Sequence, residues 1–406
     1  MTKLKTYILI LFLSVFTINA NSQDEQAKKM MEWANQGAVT NITYNSEIPF
    51  RYVDGYIFVD IVQNDKTYNF LFDTGAEATL IDKSIIDEFE YKPFSKSTVS
   101  GPLITTEDVT TITLSSIYIS GVEFVDIGAA SLDIKFDDVK FCNQLDGVIG
   151  NTLMKKTKWQ IDYEKQIIRL SDDISNLLST QPEYSINLNL PSWGWGTETI
   201  ELNIDGYVSQ FNFDTGNGRE KIVLKPSELN NFIVEDKNSI IEYGFSKSAL
   251  DYKLLAKSIN IGDLKLNNQT ISFQREVGNL QLLGNLFLEN FLVTVDWEKH
   301  QLFLEPTKNV GSDTFVGFEL NFKPNFETNK IEIATGLRAF TKKNKIRNGA
   351  FLLKVNETDV SNFSHQEFCD FWNIEWSKIT HVEKLNLIIS QNGKSKEIVV
   401  TKKNLI

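Results

Sequence analysis

Apolar and polar residues alternate with a period of two through YIFVDIV (from Tyr56), TITLSSIYI (from Thr111), TIELNI (from Thr199) and KSINIGDLKL (from Lys257), between turns of Gly, Asn and Asp. That period sends one face of each segment to a core and predicts β-strands. A helical period appears in DEQAKKMMEWANQ, residues 24–36, and predicts one amphipathic helix ahead of the first strands. The polar, proline-containing SDDISNLLSTQPE (171–183) reads as a linker. From about residue 309 the pattern changes. VGFELNF, KIEIATGL, GAFLLKVNETDV, SHQEFCDFWN and LNLIISQNGKSKEIVVTKK predict strands, one short helix and a closing hairpin. The expected fold is mainly β, with a small α+β domain at the end.

The strands fall into a long internal repeat. NFLFDTGAEATLID, around Asp73, has a partner in SQFNFDTGNGREKIVL, around Asp214; each is a strand that ends in Phe-Asp-Thr-Gly and soon resumes. GVIGNTLMKKTKWQIDYEKQIIRL, from Gly147, aligns without a gap to QLLGNLFLENFLVTVDWEKHQLFL, from Gln281, pairing Gly150-Asn151 with Gly284-Asn285. Each half reads as strand, Asp-Thr-Gly, strand, long hairpin region, apolar-apolar-Gly, short helix, strand, turn, strand.

One Asp-Thr-Gly is most simply a turn, in which Asp and Thr bond nearby backbone and Gly takes a positive φ. Two copies at matching places of a duplicated β unit are hard to explain as turns.

The pairing of FDTGA with VIG and of FDTGN with LLG, over residues of roughly 49 to 306, resembles the retropepsin-like and pepsin-like aspartic peptidases. The resemblance implies two acid-protease-like β-barrel lobes with Asp73 and Asp214 catalytic at their interface. Thr74, Gly75, Thr215 and Gly216, with Gly150 and Gly284, would brace the two loops. Ala76, Glu77 and Asn217 would line the substrate site, Glu77 bonding substrate backbone. The chain departs from the family after the second triplet. Asn217 stands where Ala or Ser is usual and would crowd the site, and Arg219, if turned inward, would favour ionised Asp214. Asn151 and Asn285 stand where retroviral members carry Arg. A flap over the cleft would lie at STVSGPLITTEDVT, with Gly101, or at IIEYGFSKSALDY, with Gly244; plain exposed hairpins explain both segments equally well. Trp193 and Trp195 in PSWGWGTET are expected to pack at the lobe junction.

The last hundred residues look like a PDZ domain. Gly317-Phe318 match its carboxylate loop and Phe351 to Asn356 its strand-turn, with Gly349-Ala350 and Asn-Glu replacing the usual Gly-Asp and Asn-Gly. The resemblance implies that Val316, Gly317 and Phe318 take a peptide C-terminus; a small β domain that only packs on the lobes is the alternative. The division expected is a signal peptide at 1–22, a helical segment at 23–48, lobe 1 at 49–172, a linker at 173–186, lobe 2 at 187–308 and the PDZ-like domain at 309–406.

Charge narrows the partners. Asp plus Glu number 53 against 41 Lys plus Arg, a net charge of −12 without a basic block, which argues against nucleic acid. Lys3 and Lys5 before an apolar run of about 12 residues, then Ala20-Asn21-Ser22, read as a secretory signal, too short to span a bilayer. Export to periplasm, cell surface or medium is expected, and a soluble monomer. The two cysteines, Cys142 and Cys369, are far apart in sequence and read as buried small hydrophobes, not a disulfide. The three histidines fit no zinc or nucleophile spacing, His300 reading as a surface turn, and Asp133, Asp137 and Asp138 lack an EF-hand glycine. No metal or cofactor is expected. Two functions remain in view: an exported aspartic endopeptidase acting on protein or peptide, or a peptide-binding protein that keeps the cleft without turnover.

Overall fold

The computed structural model describes residues 20–99, 107–134, 145–178, 182–232, 240–275 and 280–405. It is mainly β. In the first half the strands lie in the order Lys66–Phe72, Gly147–Ile149, Thr79–Asp82, Val122–Leu132, Glu107–Ile119, Tyr91–Val99. In the second half the order is Tyr207–Phe213, Leu282–Leu283, Ile222–Leu224, Leu264–Phe273, Ala249–Ile261, Ile240–Ser246. The two orders match strand for strand. In each, the strand entering Asp-Thr-Gly pairs in parallel with the apolar-apolar-Gly strand, which pairs antiparallel with the strand leaving the triplet. Turns such as Asp54-Gly55, with φ of 51° and 82°, join the strands in the left-handed conformation that suits the twist of a hairpin.

A central sheet joins the halves. Lys158–Asp162 pairs antiparallel with Phe291–Asp296, and Gln160 lies opposite Thr294, its own counterpart in the repeat, so an approximate two-fold axis passes through that pair. The Gln160 amide donates to the Thr294 hydroxyl at 3.0 Å. The sheet extends outward through Ile167–Ser171 and Asn45–Val53 on one side and Gln301–Pro306 and Tyr184–Asn187 on the other. Pairing therefore starts at Asn45, and Tyr184–Asn187 is a strand that begins inside the stretch expected to be linker. One apolar core runs through both lobes, from Ile48 to Leu304. It includes Phe70, Phe72, Trp159, Phe211 and Phe213, all at most 1% exposed, so the strands that carry both triplets are anchored in it.

Helix α1 (Ala20–Asn35) packs on the first lobe; the helical period placed it at 24–36. Trp33 is 3% exposed and its indole N–H donates to the Ile112 carbonyl at 2.9 Å. The short helices α2 (Asn151–Met154) and α3 (Asn285–Leu288) follow the two apolar-apolar-Gly segments. Beyond residue 309 the chain forms a separate core under a sheet ordered Leu320–Asn325, Lys330–Gly336, Phe351–Val355, Lys384–Gln391, Lys394–Thr401. Helix α4 (Arg338–Lys343) lies beside it, and α5 (His365–Asp370), a π-helical turn (Phe371–Glu375) and α6 (Trp376–Ile379) form one continuous stretch. A capping box of Ser364 and Glu367 starts α5.

Cys369, buried on α5, is disulfide-bonded, which corrects the expectation of unpaired thiols; Cys142 lies outside the described residues. Separation along a sequence does not limit separation in space. Among the described residues no helix is long and apolar enough to cross a membrane, and no three His, Cys, Asp or Glu group as metal ligands.

Candidate active site: two carboxyls between two braced loops

The two Asp-Thr-Gly loops meet on the two-fold axis. Thr74 N–H donates to the Thr215 hydroxyl at 3.0 Å and Thr215 N–H to the Thr74 hydroxyl at 2.9 Å. Each hydroxyl in turn donates across the lobes, Thr74 to the Phe213 carbonyl at 2.7 Å and Thr215 to the Phe72 carbonyl at 2.9 Å. Both threonines are buried, so these four bonds satisfy groups that water cannot reach. They also hold each triplet by the residue just before the other aspartate.

Asp73 and Asp214 are hydrogen-bonded to each other and are 2% and 6% exposed. A Cβ on Gly75 would run into the Asp214 carboxyl, and one on Gly216 into that of Asp73, so glycine at both positions is what lets the carboxyls meet. Asp73 Oδ1 accepts from Gly75 N–H at 2.7 Å and Ala76 N–H at 3.1 Å; Asp214 Oδ1 accepts from Gly216 N–H at 2.9 Å. Burial pushes Asp73 up to about 6, against the pull of those amides. Burial and the neighbouring Asp73 charge hold Asp214 well above the carboxylate range. Both carboxyls are therefore raised, and the pair shares one proton and titrates as a unit.

The apolar-Gly segments lie directly against the loops. A Cβ on Gly150 would meet the carbonyls of Ala76 and Ala78, and one on Gly284 those of Asn217 and Glu220. Asn151 Nδ2 donates to the Thr74 and Ala76 carbonyls, both at 2.8 Å, and Asn285 Nδ2 to Thr215 at 2.5 Å and Gly55 at 2.8 Å. Asparagine at the position after the glycine thus knits the loop through its amide. Ala76 and Asn217 carbonyls also accept the N–H of Asn151 and Asn285, each at 2.9 Å, so both are turned to internal bonding. Asn217 folds toward Gly284, its Nδ2 buried without a partner. Arg219 is exposed.

Each loop is backed by a glycine turn from elsewhere. Gly55 lies against Gly218, and Gly196 against Glu77, whose Oε1 would be 3.1 Å from a Gly196 Cβ. Gly55 and Gly196 are 141 residues apart, the separation of Asp73 and Asp214. Beside Gly196, the Thr197 hydroxyl donates to the Gly75 carbonyl at 2.9 Å. Lys155 Nζ donates to the Gly196 carbonyl at 2.8 Å and pairs with Glu198 at 2.9 Å; His300 Nδ1 lies 3.1 Å from the same Glu198 oxygen. His300 is thus a turn residue joined to a buried carboxylate. Burial raises Glu77 to about 8, opposed by Lys155. Trp195 packs edge-on against Trp33 at the junction, while Trp193 is exposed.

The remaining expected residues do not gather here. Gly101 lies outside the described residues. Gly244 is engaged by the C-terminal domain: its carbonyl accepts from the Thr341 hydroxyl at 2.9 Å, Tyr243 bridges to Leu337, and Arg338 donates to the Phe245 carbonyl at 3.3 Å. This corrects the expectation of a second flap: Tyr243 is buried and Phe245 packs half-buried against the core of the C-terminal domain. Val316–Gly317 pairs with the chain's own Lys403–Asn404, and Lys402 lies over the Phe318 ring. The segment expected to take a foreign carboxylate is thereby engaged by the chain itself. Lys155, Thr197, Glu198 and Tyr163, whose hydroxyl donates to Asn285 Oδ1 at 2.6 Å, were not anticipated. Only Tyr163 had a visible signal, its place in the repeated Ile-Asp-Tyr-Glu-Lys and Val-Asp-Trp-Glu-Lys.

Residues 59–153, which carry the first triplet and Gly150, match the family model for aspartyl proteases. No curated protein matches the chain. Among solved structures, basic 7S globulin from soybean is similar over 65% of this chain and 94% of its own, at 10% identity and a TM-score of 0.40. So low a score adds nothing to what the repeat and the family match establish: a protease-like fold.

Proposed function

We propose that the chain is an exported aspartic endopeptidase with a water-activating pair of carboxyls. The observation that carries this is the mutual hydrogen bond of Asp73 and Asp214, with burial raising both. The ionised carboxyl of the Asp73/Asp214 pair takes a proton from water, whose oxygen attacks the peptide carbonyl carbon, while its protonated partner gives its proton to the carbonyl oxygen. The tetrahedral diol then collapses. The first carboxyl passes its proton to the amide nitrogen, the C–N bond breaks, and a diol hydroxyl returns a proton to the partner. Atoms and charges balance without a covalent intermediate or a metal. The C-terminal domain, with its edge strand Leu320–Asn325, is read as the PDZ-like partner that binds or orients peptide.

The test is cleavage of an unfolded protein by residues 23–406 across pH roughly 3 to 7, beside Asp73→Asn and Asp214→Asn. Cleavage lost in both variants supports the peptidase. A second reading has an observation of its own: the Gly75 carbonyl is taken by Thr197 and both carboxyls are nearly closed to solvent. Peptide binding without cleavage at any pH would favour that reading, a binder that retains the cleft.

A further inference from the structure

Two parts of the chain lie outside the duplicated unit, helix α1 and the C-terminal domain, and each grips the turn behind one Asp-Thr-Gly loop. At the C-terminal end of α1, Asn35 Nδ2 donates to the Gly194 carbonyl at 3.0 Å, and the Asn35 carbonyl accepts from Lys156 Nζ at 2.8 Å. Met31 lies against Gly194, whose φ is +83°. Trp33 stacks on Phe94 and meets Trp195 edge-on, and Ala78, four residues beyond Thr74, shares its small apolar cluster. From Gly194–Gly196 the chain passes at once to Thr197, whose hydroxyl holds the Gly75 carbonyl. α1 thus reaches the Asp73 loop through one turn.

The C-terminal domain does the same on the other side. Its π-helical turn sets Trp372 outward, stacked on Trp376 at 5.1 Å, with its indole N–H donating to Asp54 at 3.2 Å. Asp54 begins the turn whose Gly55 packs on Gly218 and takes Asn285 Nδ2, the same amide that bonds the Thr215 carbonyl next to Asp214. A π-turn costs regular helix bonding and tends to persist where it places a residue for use.

We propose that α1 and the C-terminal domain are positioning elements of the carboxyl pair, acting through Asn35 on the Asp73 loop and through Trp372 on the Asp214 loop. α1 is then an integral part of the site and not a removable cover, and its loss lowers turnover where removal of a cover would raise it. The kinetic side of this inference rests on the peptidase reading, and the loop-holding side does not.

The experiment uses the chain from residue 23, with Asn35→Ala, Trp372→Phe, which keeps a ring but removes the N–H, and deletion of residues 23–36. The primary readout is amide hydrogen exchange in the Asp73→Asn background, which needs no catalysis. Asn35→Ala is expected to speed exchange severalfold at Gly75 and Ala76 while leaving Gly216 and Asn217 unchanged, and Trp372→Phe to do the reverse. In the active background each variant is expected to lower kcat about 5-fold with KM unchanged. Unchanged exchange at both loops, equal change at both loops in each variant, or higher kcat on deleting 23–36 would each overturn the proposal. If the parent cleaves nothing while the exchange pattern holds, the peptidase reading fails and the assignment of Asn35 and Trp372 stands.

Discussion

The two Asp-Thr-Gly loops share a backbone plan and differ in what holds them from behind. The loop of Asp73 is backed by Gly196 through charge: Lys155 bridges the Gly196 carbonyl and a fully buried Glu198. The loop of Asp214 is backed by Gly55 through neutral groups, Asn285 bonding Gly55 and Thr215 while Tyr163 bonds Asn285. A duplication fixes the parts that must meet on the axis, the threonine grip and the glycines under the carboxyls. It leaves the outer braces free to diverge. The aspartates themselves stay alike: each accepts amides of its own loop, Asp73 from Gly75 and Ala76 and Asp214 from Gly216 and Asn217, and burial raises both.

The charged brace is the place to break this comparison hardest. Lys155→Met leaves the Glu198 carboxylate, whose side chain is 0% exposed, with His300 as its remaining ion-pair partner among the described residues. An uncompensated buried charge costs about 3–5 kcal/mol, read as a lower urea midpoint. Adding Glu198→Gln should recover most of that loss. If the single variant costs under about 1 kcal/mol, the first loop is not held by charge.

The buried carboxyl pair predicts a pH dependence of stability. Asp73 is raised in the folded state, from an ordinary 3.8 to about 6. Its contribution is therefore full below about pH 4 and is lost as pH rises through 6, about 3 kcal/mol for about two units, with Asp214 acting in the same sense. Against the double variant Asp73→Asn/Asp214→Asn, the parent should lose at least that much between about pH 4 and 7 in urea titrations. Parallel curves would mean that neither carboxyl is perturbed.

The two glycine turns give the next contrast. Both glycines have positive φ, 82° at Gly55 and 94° at Gly196. A methyl on Gly55 would strike the Gly218 backbone, which cannot retreat without moving the Asp214 loop, whereas one on Gly196 meets only the tip of Glu77 at 3.1 Å. Gly55→Ala is expected to cost about 2–3 kcal/mol and Gly196→Ala about 1 kcal/mol, measured as midpoint shifts.

Much of this arrangement could be read from the residues in order. Alternation in YIFVDIV and its kin set the strands, and the two ungapped copies around Gly150 and Gly284 set the shared topology, since identical patterns fold into identical strand orders. What the chain hid were contacts between residues far apart in sequence with no counterpart in the repeat. Glu198 and Lys155 carry no motif, and their pairing exists only because the central sheet brings the lobes together. Gly244 looked like a flap tip because a hairpin with a glycine reads alike whether it is free or seated on another domain. Cys369 misled for the same reason, its bond depending on distance in space. Arg219 could not be placed either, because an exposed and an inward arginine have the same sequence neighbours.

The finest contrast lies in the repeated Asp-Tyr-Glu-Lys and Asp-Trp-Glu-Lys turns. Tyr163 reaches across to Asn285 Oδ1. Its counterpart Trp297 leaves its indole N–H buried and unpaired, and Asn151 Oδ1, the counterpart acceptor, is buried and unpaired as well. An indole N–H sits closer to its ring than a phenol O–H, so the same backbone leaves a gap where tyrosine makes a bond. Tyr163→Phe would give the second loop the vacancy that the first already tolerates. Removing one partner of a buried bond costs about 1–3 kcal/mol, and a fold that carries such an orphan at Asn151 places the expected loss at the lower end, about 1 kcal/mol. A loss near 3 kcal/mol in urea unfolding would mean that the second loop depends on its bond in a way the first does not, making the two braces unequal in strength as well as in kind.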